Sequence, residues 1–198
     1  MATAYSVLAD RYIQMFGSTD SCHVDDLALL AKLETATGPV VDVGCGPGHL
    51  TSYLASIGVE ASGIDLVPEF IAHARANYPD CRFDIGSMLA LPAADMSLAG
   101  ILAWYSLIHF KPWELPVVLA EFHRALADDG VLILGFFDGE AVEPFAHKVT
   151  EAYFWPVEKM AQLVRECGFV VLETLARTEA GARPHAALVA SKVYDIAF

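Results

Sequence analysis

The stretch Val40–Thr51, VVDVGCGPGHLT, places three glycines at alternate positions directly after a short apolar run. VVDV reads as a strand and GHLTSYLASIG as a helix stopped by Gly58, with the glycines forming the turn between them. Such a turn lets a ligand come close to the backbone and points free N–H groups at it from the positive end of a helix. Asp65 closes the next strand, about twenty residues on, where a carboxylate can accept both hydroxyls of a ribose. The expected ligand therefore contains a nucleoside.

Outward from this turn the pattern alternates. VEASGID is a strand, VPEFIAHARANY a helix with Pro68 in its first turn, CRFDI a strand and SLAGILAW a long apolar strand. PWELPVVLAEFHRALADDG reads as a helix with a turn at its end, and VLILGFF as a strand buried on both faces. Strands alternating with helices imply right-handed crossovers and a parallel sheet. After the helix PVEKMAQLVRECG, the strands FVVLETLAR and PHAALVASKV are separated only by TEAGA, so they form a hairpin and one of them runs antiparallel. Towards the N-terminus, Tyr5, Leu8, Tyr12 and Met15 recur at helical spacing. HVDDLALLAKLETA is a second helix, with Asp25 and Asp26 near its start and Gly38-Pro39 at its end.

The chain has 198 residues, is 55% hydrophobic and carries a net charge of −13. That length supports one domain with a large core. We expect residues 1–198 to form a single domain: a helical cap over 1–37, a ligand-binding core over 38–137, and an insertion, last helix and hairpin over 138–198. The acidic balance opposes nucleic acid and anionic membranes. Cys22, Cys45, Cys81 and Cys167 form no C-x-x-C pair, so reduced thiols are expected and no metal. MSLAGILAWYSLIHF, the longest uncharged run, falls short of the ~18 residues of a membrane span. With no basic region followed by an apolar run at the N-terminus, the expected location is cytoplasmic. The oligomeric state is not encoded legibly.

A dinucleotide is one possible ligand, but its fingerprint is G-x-G-x-x-G/A. Here Gly44, Gly46 and Gly48 give G-x-G-x-G, with His49 at the sixth position. Asp42 suits an ammonium or sulfonium better than a pyrophosphate. The segments VVDVGCGPGHLT, GIDLVPEFIAHAR, FDIGSMLALP, GILAWYSLIHF and LADDGVLILGFF, in that order and spacing, resemble class I S-adenosylmethionine-dependent methyltransferases. The resemblance covers roughly residues 38 to 137 and implies a Rossmann-like α/β fold. Its seven-stranded, mostly parallel sheet ends in an antiparallel hairpin and carries helices on both faces.

The resemblance also implies roles. Gly44, Cys45, Gly46 and Gly48 meet the methionine part of the cofactor, and Asp42 its amino end. Asp65 takes the ribose, Leu66 lies beside the adenine, Ser87 and Met88 flank the adenine edge, and Ala103 and Trp104 come near the transferring methyl. Ser87 and Ala99 stand where many members carry Asp. Tyr5, Tyr105, Phe137 and Phe154 are expected at the substrate, with Tyr153 and Trp155 in a lid. His147 and Lys148 could meet an anionic group. His109 is the expected proton acceptor, with Tyr12 behind it. The expected activity is methyl transfer to a small molecule through an O, N, S or C nucleophile, with S-adenosylhomocysteine as product. An NAD(P)-dependent oxidoreductase and a non-catalytic S-adenosylmethionine-binding protein remain alternatives.

Overall fold

In the computed structural model, which describes residues 2–193, one sheet runs through the whole fold. Its strands are β1 (Val40–Val43), β2 (Ala61–Asp65), β3 (Arg82–Ile85), β4 (Leu98–Trp104), β5 (Leu126–Phe137), β6 (Glu143–Ala146), β7 (Glu151–Phe154), β8 (Phe169–Arg177) and β9 (His185–Lys192). The main path is β3-β2-β1-β4-β5-β9-β8, parallel throughout except for β9, which runs antiparallel to both neighbours. The β6–β7 hairpin joins at the C-terminal end of β5 through Phe137 and Phe154.

The helices are α1 (Ala2–Phe16), α2 (Val24–Leu30), α3 (His49–Ser56), α4 (Pro68–Asn77), α5 (Leu115–Ala125) and α6 (Val157–Glu166). Strand alternation sorts the core into two layers. Ile101 and Ala103 of β4 and Leu132, Leu134 and Phe136 of β5 join Leu119 and Phe122 of α5 and Val164 of α6. The intervening Leu102 and Ile133 join Leu50 and Leu54 of α3 and Leu29 and Leu30 of α2. Each fully buried side chain of this kind stabilises the fold by roughly 1.5–3 kcal/mol. The near-continuous apolar runs of β4 and β5 thus cover both faces of the sheet. Helix α1 packs on α4: Ala9 meets Val67 and Phe70, and Ser6 Oγ donates to Glu69 at 2.8 Å. That lays α1 near the carboxyl ends of the strands.

The expected seven-stranded, mostly parallel sheet is the main path, and the insertion adds the β6–β7 hairpin to make nine strands. Two expectations need correction. The expected helix over residues 112–130 ends at Ala125, because buried Leu126 pairs with Leu98 and starts β5 there. Asp129, at φ 60°, then carries a register shift in the strand. The second helix is α-helical only to Leu30 and tightens into a 3-10 turn over Ala31–Thr35.

Candidate functional site

The glycine turn after β1 gives its three glycines different tasks. All have left-handed backbone, with φ of 71°, 53° and 89° at Gly44, Gly46 and Gly48. A Cβ on Gly44 would lie 2.5 Å from Ser106 Cβ, and one on Gly48 2.8 Å from both Ala74 Cβ and Phe83 Cζ. These two are packing glycines. Gly48 supplies the close helix–strand approach that His49 would deny one residue later. At Gly46 the nearest atom is Tyr12 Cε1 at 3.9 Å, so this is where the backbone is open to a ligand.

Asp65 is fastened to that turn. Its Oδ2 accepts from Gly46 N at 2.9 Å and its Oδ1 from Val67 N at 2.8 Å. Asp42 is buried at the end of β1, and its Oδ2 accepts from Thr51 Oγ1 at 2.7 Å. Burial pushes the Asp42 carboxyl up to about 7, against the Thr51 bond and with help from the Asp65 charge. His49 begins α3 with a buried, unpartnered Nδ1, and burial brings its pKa down to about 4.

A cleft of about 950 Å³ opens beside this turn. It lies at the upper end of the roughly 300–1,000 Å³ typical of small-ligand sites. Of the expected residues, Tyr5, Tyr12, Asp42, Gly44, Cys45, Gly46, Trp104, Tyr105 and Phe137 stand on its walls. Gly48, Asp65, Leu66, Ser87, Met88, Ala103, His109 and Phe154 do not. Ala103 is fully buried within the sheet. Ser87 Oγ accepts from Leu89 N at 3.2 Å, and Leu66 is exposed. Phe154 stacks on Phe145 at 4.1 Å, while Tyr153 and Trp155 are buried core residues and form no lid.

His109 is held at both ring nitrogens. Its Nδ1 donates to Glu151 O at 2.8 Å, leaving Nε2 to accept from the Tyr5 hydroxyl at 2.8 Å. Burial lowers its pKa, which keeps the ring neutral. With both positions used, His109 has no lone pair free for a substrate proton. It clasps α1 to β7. Burial and the Asp65 charge push the Tyr12 hydroxyl up to about 12, and its ring stands over Gly46.

Sequence reasoning missed the polar cluster opposite the glycine turn. The Tyr105 hydroxyl hydrogen-bonds His185 Nδ1. His185 Nε2 lies 3.2 Å from Asp26 Oδ1, short of well-aligned hydrogen-bond geometry. Arg177 grips Asp26 bidentately at 2.7 and 2.9 Å, and its Nε lies 2.7 Å from Glu179 Oε1. Burial alone would raise the Asp26 carboxyl, but the approach of His185 and the bonds from Arg177 bring it to about 2. Tyr105 itself has φ 54°, a conformation that costs a bulky residue about 1–3 kcal/mol and concentrates at working sites. The one local signal was His185, a lone polar residue opening the apolar strand HAALVAS.

Residues 40–130 match the protein family described as "Methyltransferase domain". A demethylmenaquinone methyltransferase of Chlorobaculum parvum is 36% identical over 92 residues, covering 46% of this chain and 37% of that protein. A malonyl-[acyl-carrier protein] O-methyltransferase of Erwinia billingiae is 26% identical over 153 residues, covering 77% of this chain and 58% of that protein. The matches thus span 37% and 58% of these curated relatives. The crystal structure of a 1,6-didemethyltoxoflavin-N1-methyltransferase from Burkholderia thailandensis holds 1,6-didemethyltoxoflavin and S-adenosylhomocysteine. It shares the fold with a TM-score of 0.78 at 20% identity, over 98% of this chain and 89% of that one. Over residues 40–130 the chain is thus similar to methyltransferase domains, and its fold is shared with solved methyltransferases. Among the described residues, no helix is long and apolar enough to cross a membrane.

Proposed function

We propose that this protein transfers a methyl group from S-adenosylmethionine to a small-molecule acceptor. The observation that carries the reading is Gly46: an open left-handed glycine on the cleft wall, bonded through its N–H to Asp65. The donor set fits the cofactor. Gly46 admits it to the backbone, Asp65 stands beside that point for the ribose, and Asp42 can ionise against an ammonium. Trp104, Tyr105 and Phe137 offer ring faces to a sulfonium, a contact worth roughly 0.5–2 kcal/mol each.

When bound, the cofactor supplies a methyl group already activated on sulfur. The residues of the chain hold the acceptor in line and exclude water, and such alignment contributes up to about 7–11 kcal/mol in favourable systems. At the rim, the Arg183 guanidinium lies 4.8 Å from the Phe145 ring centre and 5.8 Å from that of Phe137. Among the described residues neither Arg183 nor Lys148 has a carboxylate partner, although the chain carries a net charge of −13. Arg183 over these rings and Lys148 on the same cleft wall favour a flat acceptor that bears an anionic group. The four cysteines are free thiols, which supports a reducing compartment such as the cytoplasm.

Calorimetric titration separates this reading from a dinucleotide enzyme. S-adenosylhomocysteine is expected to bind, and NAD and NADP are not. Tight NAD binding without S-adenosylhomocysteine binding would overturn the proposal.

A further inference from the structure

We propose that Tyr105 is the catalytic proton acceptor for the methyl acceptor, and that His185 and Asp26 position it as a relay. The inference rests on the methyl-transfer reading. All three side chains stand on the cleft wall, and they come from the loop after β4, the start of β9 and helix α2. Ser106, next in the chain, packs against Gly44, so Tyr105 is anchored one residue from the glycine turn.

The geometry fixes the direction of proton flow. His185 Nε2 faces the Asp26 carboxylate at 3.2 Å, and the proposed relay puts the ring hydrogen on that side. Its Nδ1 lone pair then accepts from the Tyr105 hydroxyl. The Tyr105 oxygen keeps lone pairs for an incoming proton. In the proposed step the acceptor's X–H bond breaks and its proton goes to Tyr105 Oη, while the Tyr105 proton passes to His185 Nδ1. The electron pair left on X forms the new bond to carbon, and the cofactor's sulfur keeps the pair of the broken C–S bond. The groups facing His185 are Asp26 on α2, Arg177 and Glu179 at the end of β8, and Tyr105. Asp26 and Glu179 against Arg177 leave one net negative charge beside His185. The imperfect Nε2–Asp26 alignment is usual before ligands bind, since such bonds often tighten only in the loaded complex. His109, the imidazole to which the sequence pointed, has both nitrogens occupied.

The same bonds could serve only to tie β9 to α2, so the test needs a readout that packing does not set. The full chain, labelled with 15N-histidine and saturated with S-adenosylhomocysteine, is examined by NMR at pH 7.5, with His185→Asn used for assignment. The relay requires a neutral His185 protonated on Nε2, with an Nδ1 signal that shifts towards a free lone pair in Tyr105→Phe. An Nδ1-protonated or doubly protonated ring overturns it. A kinetic arm uses phenol acceptors of graded acidity. Tyr105→Phe is expected to lose about 10²–10⁴-fold in kcat on a phenol that is protonated at the assay pH. It is expected to recover on a nitro-substituted phenol that is already ionised. Equal loss on both overturns the relay. If no acceptor is methylated, the methyl-transfer reading fails, while the NMR arm still decides the relay.

Discussion

Gly46 donates its backbone N–H to Asp65 Oδ2 at 2.9 Å, which couples the turn after β1 to the end of β2. A single carboxylate thereby shapes the glycine turn, and in the proposed function it takes the ribose. Asp65→Ala is expected to weaken S-adenosylhomocysteine by about 10²-fold, since hydrogen bonds to a charged acceptor are worth about 1.5–3 kcal/mol each. It should also lower the melting temperature, because the Gly46 and Val67 N–H groups lose their partner. An unchanged dissociation constant in calorimetry would remove Asp65 from the site.

Alanine at two glycines should separate packing from binding. Gly48→Ala drives a Cβ to 2.8 Å from Ala74 and Phe83 in a left-handed backbone, so it is expected to cost about 1–3 kcal/mol of stability. Gly46→Ala meets nothing nearer than 3.9 Å, so its stability cost is that of the left-handed backbone alone, about 1–2 kcal/mol. Its methyl fills the open approach, so ligand affinity should fall further than stability does. Chemical denaturation and calorimetry on both variants check the split.

Asp42 makes stability depend on pH in a definite direction. Its folded pKa is about 7 against an ordinary 3.8. Between those values the folded chain keeps a proton that the unfolded chain releases, so stability falls as pH rises through this window and levels off above about pH 7. Asp42→Asn removes the effect. It is expected to exceed the wild type by up to about 4 kcal/mol at pH 8 and by nothing at pH 4. A ligand ammonium favours the ionised carboxylate, so wild-type affinity for S-adenosylhomocysteine should drop as pH falls through about 7. That dependence should vanish in Asp42→Asn.

His109→Ala tests the clasp. It removes two hydrogen bonds of 2.8 Å, each worth a net ~0.5–1.5 kcal/mol, and frees α1 from β7. Thermal stability should fall, while the pH dependence of the rate keeps its wild-type shape. Loss of the acidic limb of that profile in the variant would restore His109 as the proton acceptor.

The strand–glycine–helix order, the Asp65 position and the C-terminal hairpin were legible because each is written in a local pattern. A strand period, a turn residue or a helix stop needs only its neighbours. The β6–β7 hairpin was not legible, because its short strands, EPFA and EAYF, carry no alternation strong enough to mark them. The start of β5 at Leu126 was hidden by a continuous apolar stripe that α5 and the strand share. The cluster of Tyr105, His185, Asp26 and Arg177 lay beyond reach for another reason. Its members are 80 and 151 positions apart in the chain, and only the antiparallel register of β9, with His185 opposite Phe137, brings them together.

The most direct test is transfer of a deuterated methyl group. The protein is incubated with S-adenosylmethionine carrying a trideuteromethyl group and a panel of phenols, thiols, amines and carboxylates, including flat acceptors with a carboxylate or phosphate, and with a cell metabolite extract. The account predicts that mass spectrometry finds the labelled methyl on a small molecule, with S-adenosylhomocysteine formed in equal amount. Tight binding of S-adenosylmethionine with no labelled product anywhere in the panel or the extract would contradict it and identify the chain as a non-catalytic binder.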